Sequence, residues 1–143
     1  MHEQRGFSLV ELLIVVAIIG LIASIAVPNL LRARESADSA SAVSSVRTLI
    51  TAEALYSNTN SNQYGTLSQL VPTGTLDSNL GSGSKSDYVF TIAVSTTTNP
   101  DDGFTCNADP VEDPGNLPHY YTDQTDVIRV SLGTPATVTS PPL

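Results

Sequence analysis

Tryptophan is absent, cysteine and methionine occur once each, and 143 residues hold two histidines and six lysines and arginines against fourteen acids. The lone cysteine, Cys106, excludes an intrachain disulfide and any metal site built from several thiolates. A reactive thiol needs a basic neighbour that the sequence around Cys106 does not offer, so a small half-buried side chain is expected there. The shortage of positive charge sharpens along the chain: from Glu35 onward twelve acids face three basic residues, Arg47, Lys85 and Arg129. Such a surface repels phosphate backbones, and no nucleic acid partner is expected. Histidine is equally scarce for catalysis. His2 lies near the N-terminus, and His119 stands without a recognisable Ser or Cys nucleophile motif, so a surface or strand-edge position is expected for it. The chain reads as no enzyme, with no catalytic residues and no cofactor.

What the chain does have is an apolar run. From Phe7 to Leu31 a single ionisable residue occurs, Glu11. A helix of that length reaches roughly 37 Å, enough for a ~30 Å hydrocarbon layer. The flanks do not suit a secretory signal peptide, which has an apolar core of about 7–15 residues and then a prompt small-residue cleavage site. Here the run passes into "NLLRARESADSASAVSSV" without a turn. A buried core helix would need more apolar residues around it than the remainder supplies. A single-pass anchor explains the length and places Arg32 and Arg34 at an interface, but it leaves Glu11 unexplained. A central acid in a membrane helix costs about 2.5–3.5 kcal/mol and normally has a partner.

The stretch "GFSLVELLIVVAIIGLIASIAVPNLL" resembles the N-terminus of type IV pilins and of the related pseudopilins of type II secretion. The resemblance covers Gly6 to about Arg34. It rests on a short polar leader ending in Gly6, Phe7 directly after it, Glu11 as the lone acid, Gly20 within the helix and Pro28 near its end. It implies that a membrane prepilin peptidase cuts between Gly6 and Phe7 and methylates the new amino group of Phe7. A glycine leaves that bond unobstructed, and Arg5 favours a cytoplasmic leader. The new amine, with a reference pKa of about 7.7–8, supplies the cation that Glu11 lacks. The resemblance further implies that Glu11 pairs with an N-terminal amine, its own or a neighbour's, and so favours the correct axial register during assembly. Pro28 has two readings. It kinks the helix by removing a backbone donor, or the segment from Gly20 to Pro28, whose ends are weak helix formers, melts on assembly as in related filaments.

Beyond Pro28 a helical period continues through Ala40, Val43, Val46, Ile50 and Ala54, widened by Leu49, Leu55 and Tyr56. Arg47 and Glu53 are expected on the solvated side. "SNTNSNQYG" ends the helix, "TLSQLVP" makes a brief apolar contact, and Tyr88–Val94 reads as a strand. His119–Thr122 and Val127–Leu132 flank "DQTD" and predict a hairpin. The expected fold is α+β: a long N-terminal helix whose second half packs on an antiparallel sheet of about three strands, a pilin-like fold. Its organisation is a leader at 1–6, a membrane or filament-core helix at 7–31, an amphipathic continuation at 32–58 and a head at 59–143. The closing "GTPATVTSPPL" is expected as an ordered edge or a loose tail.

The acidic segment "NPDDGFTCNADPVEDPG" is expected to be a loop, given Pro100, Pro110 and Pro114. Asp101, Asp102, Asp109, Glu112 and Asp113 offer hard oxygen ligands for calcium, but the EF-hand spacing is missing. A solvated acidic loop and a calcium loop, such as major pseudopilins carry, both remain open. The leading functional expectation is a structural subunit of a type IV pilus or pilin-like filament. It would be a single-pass inner-membrane precursor held by lipid, then an extracellular homopolymer. The prepilin peptidase, an inner-membrane assembly platform and a motor ATPase are its expected partners. Two alternatives are a periplasmic type II secretion pseudopilin, kept open by the absence of a second cysteine, and a minor pilin serving as an adhesin.

Overall fold

A computed structural model describes residues 6–95, 103–112 and 115–143. The first element is α1, Leu9–Thr59, a single helix of 51 residues that runs through Gly20 and Pro28. Two short helices follow, α2 at Leu67–Leu70 and α3 at Ser78–Gly81, separated by a 3-10 turn at Val71–Thr73. Thr66 and Gln69 form a capping box at α2, and the Asp77 carboxylate caps α3 by accepting the Leu80 amide at 2.8 Å. Five strands complete the chain: β1 Ser84–Lys85, β2 Tyr88–Val94, β3 Phe104–Pro110, β4 Pro118–Asp123 and β5 Arg129–Leu132. They form one antiparallel sheet in the order β1-β2-β3-β4-β5, each strand pairing with its sequence neighbour. The α+β class and the long N-terminal helix are therefore present.

The chain divides into two compact units, Met1–Ser36 and Ala37–Leu143, with the division inside α1. In the second unit Ala42, Val46, Leu49 and Ala52 of α1 join Leu70, Leu80, Tyr88, Phe90, Phe104, Cys106, Ala108 and Tyr120 in one core. The Ser39 and Tyr120 hydroxyls lie 2.6 Å apart, and the Tyr88 hydroxyl donates to the Pro118 carbonyl at 2.9 Å, so these tyrosines bring their polar ends to partners.

Five expectations are corrected here. The sheet has five strands rather than about three, and β3 occupies much of the segment expected as an acidic loop. Phe104, Cys106, Ala108 and Pro110 are buried while Thr105, Asn107 and Asp109 are half-buried, the period-2 pattern of a strand. Pro110 is compatible because it is the last residue of the strand. The helical stripe is rotated: the buried positions are Ala42, Ser45, Val46, Leu49, Ala52 and Glu53, whereas Ala40 and Ala54 are exposed. Glu53, expected in solvent, is fully buried. The hairpin strands are Pro118–Asp123 and Arg129–Leu132, and the turn between them is shaped by Asp123, whose carboxylate accepts the Thr125 amide at 2.9 Å.

The closing segment is ordered. The Val130 amide donates to the Pro141 carbonyl at 2.9 Å, the Leu143 amide to the Ile128 carbonyl at 2.8 Å, and the Arg129 guanidinium to the Ser140 carbonyl at 2.9 Å. Ser140–Leu143 thus runs along β5, the sheet's last strand.

Candidate assembly site

Ser8 opens α1. Its carbonyl accepts the Leu12 amide at 3.2 Å, the first intrahelical bond, and its hydroxyl lies 3.3 Å from the Val10 amide. Three residues on, Glu11 reaches back: Oε2 accepts the Ser8 backbone N–H at 2.9 Å. "SLVE" is therefore the serine-to-glutamate spacing of a capping box, a local role for Glu11 that its isolation in an apolar run had obscured. The carboxylate also sits where the partial positive charge of a helix N-terminus favours an anion. Oε2 is engaged with Ser8, and the carboxylate has a second oxygen to offer.

Among the described residues, those around this cap are exposed. Phe7 is 85% exposed, and every residue from Gly6 to Arg34 is exposed. Among the described residues, a Cβ added at Gly6 or at Gly20 meets nothing within 4 Å, and neither glycine has a positive φ. The folded chain therefore has no steric need for glycine at either position. The first part of α1 is long and apolar enough to cross a membrane. Pro28 lies within the helix without ending it.

The remaining expected site residues lie in the other unit. Asp109 sits on β3, where its Oδ1 is 2.6 Å from His119 Nδ1 on β4. His119 is buried rather than at a surface or strand edge. It occupies the face of the sheet opposite Tyr120, and the pairing with Asp109 compensates its burial. Glu112 is exposed beyond the end of β3. Asp101, Asp102 and Asp113 lie outside the described residues. No group of three metal-ligating side chains occurs among the described residues. Cys106 is wholly buried rather than half-buried, and burial pushes its thiol up to about 12, with the charges of Glu53 and Asp109 adding to the effect. A thiol so held is not a nucleophile at neutral pH.

Comparison with known proteins places these residues in context. The chain is similar to type II secretion system core protein G of Pectobacterium carotovorum subsp. carotovorum, 41% identical over 68 residues, which is 48% of this chain and 43% of that protein. It is 43% identical to the core protein G of Escherichia coli K12 over 67 residues, 47% of this chain and 46% of that one. It is 45% identical to the type IV major pilin protein PilA of Myxococcus xanthus DK1622 over 51 residues, 36% of this chain and 23% of that one. The chain thus spans less than half the length of the curated relatives it matches. No solved structure matches it. Residues 1–27, which hold Gly6, Phe7, Ser8, Glu11 and Gly20, match the family model of the prokaryotic N-terminal methylation motif, so the exposed, capped start of α1 carries the prepilin signature.

Proposed function

We propose that the chain is a pilin-type structural subunit, cut between Gly6 and Phe7, N-methylated on Phe7 and polymerised through its apolar helix into a type IV pilus or pilin-like filament. The observation that carries this reading is the methylation motif lying on a helix start that is both exposed and capped by Glu11. Cutting the Gly6–Phe7 bond creates an amine one residue before the cap. Glu11 then holds its own first turn with Oε2 and meets the amine of a neighbouring subunit with the other oxygen. In hydrocarbon an unmatched charge is costly, so slipped packings of the Phe7–Leu31 helices are disfavoured. Before assembly the same helix anchors the precursor in the inner membrane. Extraction requires an assembly platform and a motor ATPase, and the subunit contributes packing surface rather than catalysis.

A second reading, a pseudopilin of type II secretion, is favoured by the similarity to core protein G, which at 67–68 residues extends beyond the 27 of the motif. The two readings share the processing step and differ in the product. Mass spectrometry of the mature N-terminus tests the shared step: loss of Met1–Gly6 with one added methyl on Phe7 is expected, and an intact Met1 or a cut near Ala26 overturns both. Electron microscopy then separates them, since long surface fibres support a pilus and their absence beside a working secretion system supports a pseudopilus. Glu11→Val is expected to insert in the membrane but assemble poorly, and wild-type filament yield from that variant removes the ion-pair mechanism.

A further inference from the structure

Glu53 is 0% exposed, and the proposed assembly chemistry does not use it. Its Oε2 accepts the Gly65 amide at 2.9 Å, while its Oε1 has no hydrogen-bond partner among the described residues. Gly65 is itself buried and closely seated: a Cβ there would come within 3.1 Å of the Tyr56 ring and 3.2 Å of Leu70. Between the end of α1 and this anchor residues 61–63 are exposed, and the loop holds two consecutive non-glycine residues in the left-handed region, Ser61 at φ 57 and Asn62 at φ 63. Its hydrogen bonds are local, the Asn62 amide donating to the Ser57 carbonyl at 3.0 Å and the Gln63 amide to the Asn60 carbonyl at 3.1 Å, and part of its backbone is strained, which lowers the cost of opening it.

We propose that Glu53 is a proton-controlled latch: as a neutral acid it stays sealed in the core and keeps the 60–66 loop closed through Gly65, and loss of its proton releases that loop to water. The surroundings favour the neutral form. From β3 the neighbouring Cys106 thiol, uncharged at neutral pH, offers Glu53 no compensating positive charge. Thr122, which pairs with Cys106 in the β3–β4 ladder, has a buried hydroxyl with no partner among the described residues. On the loop, the Tyr64 ring packs against Phe104 at 5.0 Å between centroids. No basic side chain pairs with Glu53 among the described residues.

Burial accordingly pushes the Glu53 carboxyl up to about 7, with the Gly65 amide opposing the rise. The closed form binds a proton that the open form, with an ordinary carboxyl near 4.5, has already lost. Closure is therefore strongest on the acid side of this window and weakens as pH rises towards and through 7. Asp77 acts in the opposite sense at more acid pH, because the Leu80 amide and Lys85 hold its carboxyl below the usual range.

The test is amide exchange at Gly65 in the full chain in detergent micelles, corrected for intrinsic base catalysis. Protection is expected to fall by about tenfold or more between pH 5 and pH 8, and Glu53→Gln is expected to abolish that dependence. Equal corrected protection at both pH values in the wild type overturns the proposal. Should Glu53→Gln fail to fold, the assigned Glu53 carboxyl resonance of carbon-13-labelled wild type decides: a midpoint near neutrality supports the latch, and one near 4.5 overturns it.

Discussion

Glu11 and Glu53 share one helix and meet opposite fates. Glu11 was legible as an anomaly from its isolation among hydrocarbon side chains, and the proposed ion pair in assembly gives it one role. Its second role was equally written in "SLVE", yet a serine three residues before a glutamate is common enough to be passed over when a stronger pattern surrounds it. The two roles can be separated. Glu11→Gln keeps a side-chain oxygen for the Ser8 amide and removes the charge. The full chain in micelles should then show wild-type helicity by circular dichroism while filament yield drops severely; unchanged yield would leave Glu11 with capping alone, a role worth about 1 kcal/mol. Glu53 was misread because charged side chains are almost never fully buried unless paired, so the prior favoured solvent. What overrode it is the Gly65 amide, twelve positions away in sequence, a partner that local pattern cannot foresee.

At the level of elements, α1 was legible in its length and poorly legible in its facing. Alanine and serine crowd both sides of its second half, so the apolar stripe is faint, and the polar Ser45 and Glu53 on the buried side shift the apparent centre. Leu49 is the reliable anchor: it is fully buried in the core, whereas Ala54, five residues later, is exposed. Leu49→Ala should lower unfolding free energy by about 2–5 kcal/mol. Ala54→Ser should change it by less than about 0.5 kcal/mol. Urea melts of the full chain in micelles compare them, and equal effects would contradict the observed facing. Strand β3 went unseen for a related reason. Its alternation is present, but Asn107, Asp109 and Pro110 are poor strand formers, and its stability comes from lying between β2 and β4 rather than from propensity.

For the chain as a whole, the sheet is a simple meander, and such a sheet has two edges. The β5 edge is occupied by Ser140–Leu143 from the same chain, which satisfies backbone groups that would otherwise recruit a stranger. Truncation after Thr139 removes those bonds and the carbonyl that Arg129 holds. Light scattering in micelles should then show association beyond that of the full chain at equal concentration, with stability lowered by about 1–3 kcal/mol. Matching particle sizes would mean the edge is protected in another way. This closure was only half visible in a Thr- and Pro-rich ending, because proline masks an edge partner whose neighbours still accept bonds. A last consequence concerns the empty space beside Gly6 and Gly20. A glycine within a helix costs about 0.5–1 kcal/mol relative to alanine, and nothing in the folded monomer compensates for Gly20. Stability optimisation of the isolated protein would therefore replace Gly20 first, and in doing so would erase text that, in the proposed filament, neighbouring subunits are meant to read.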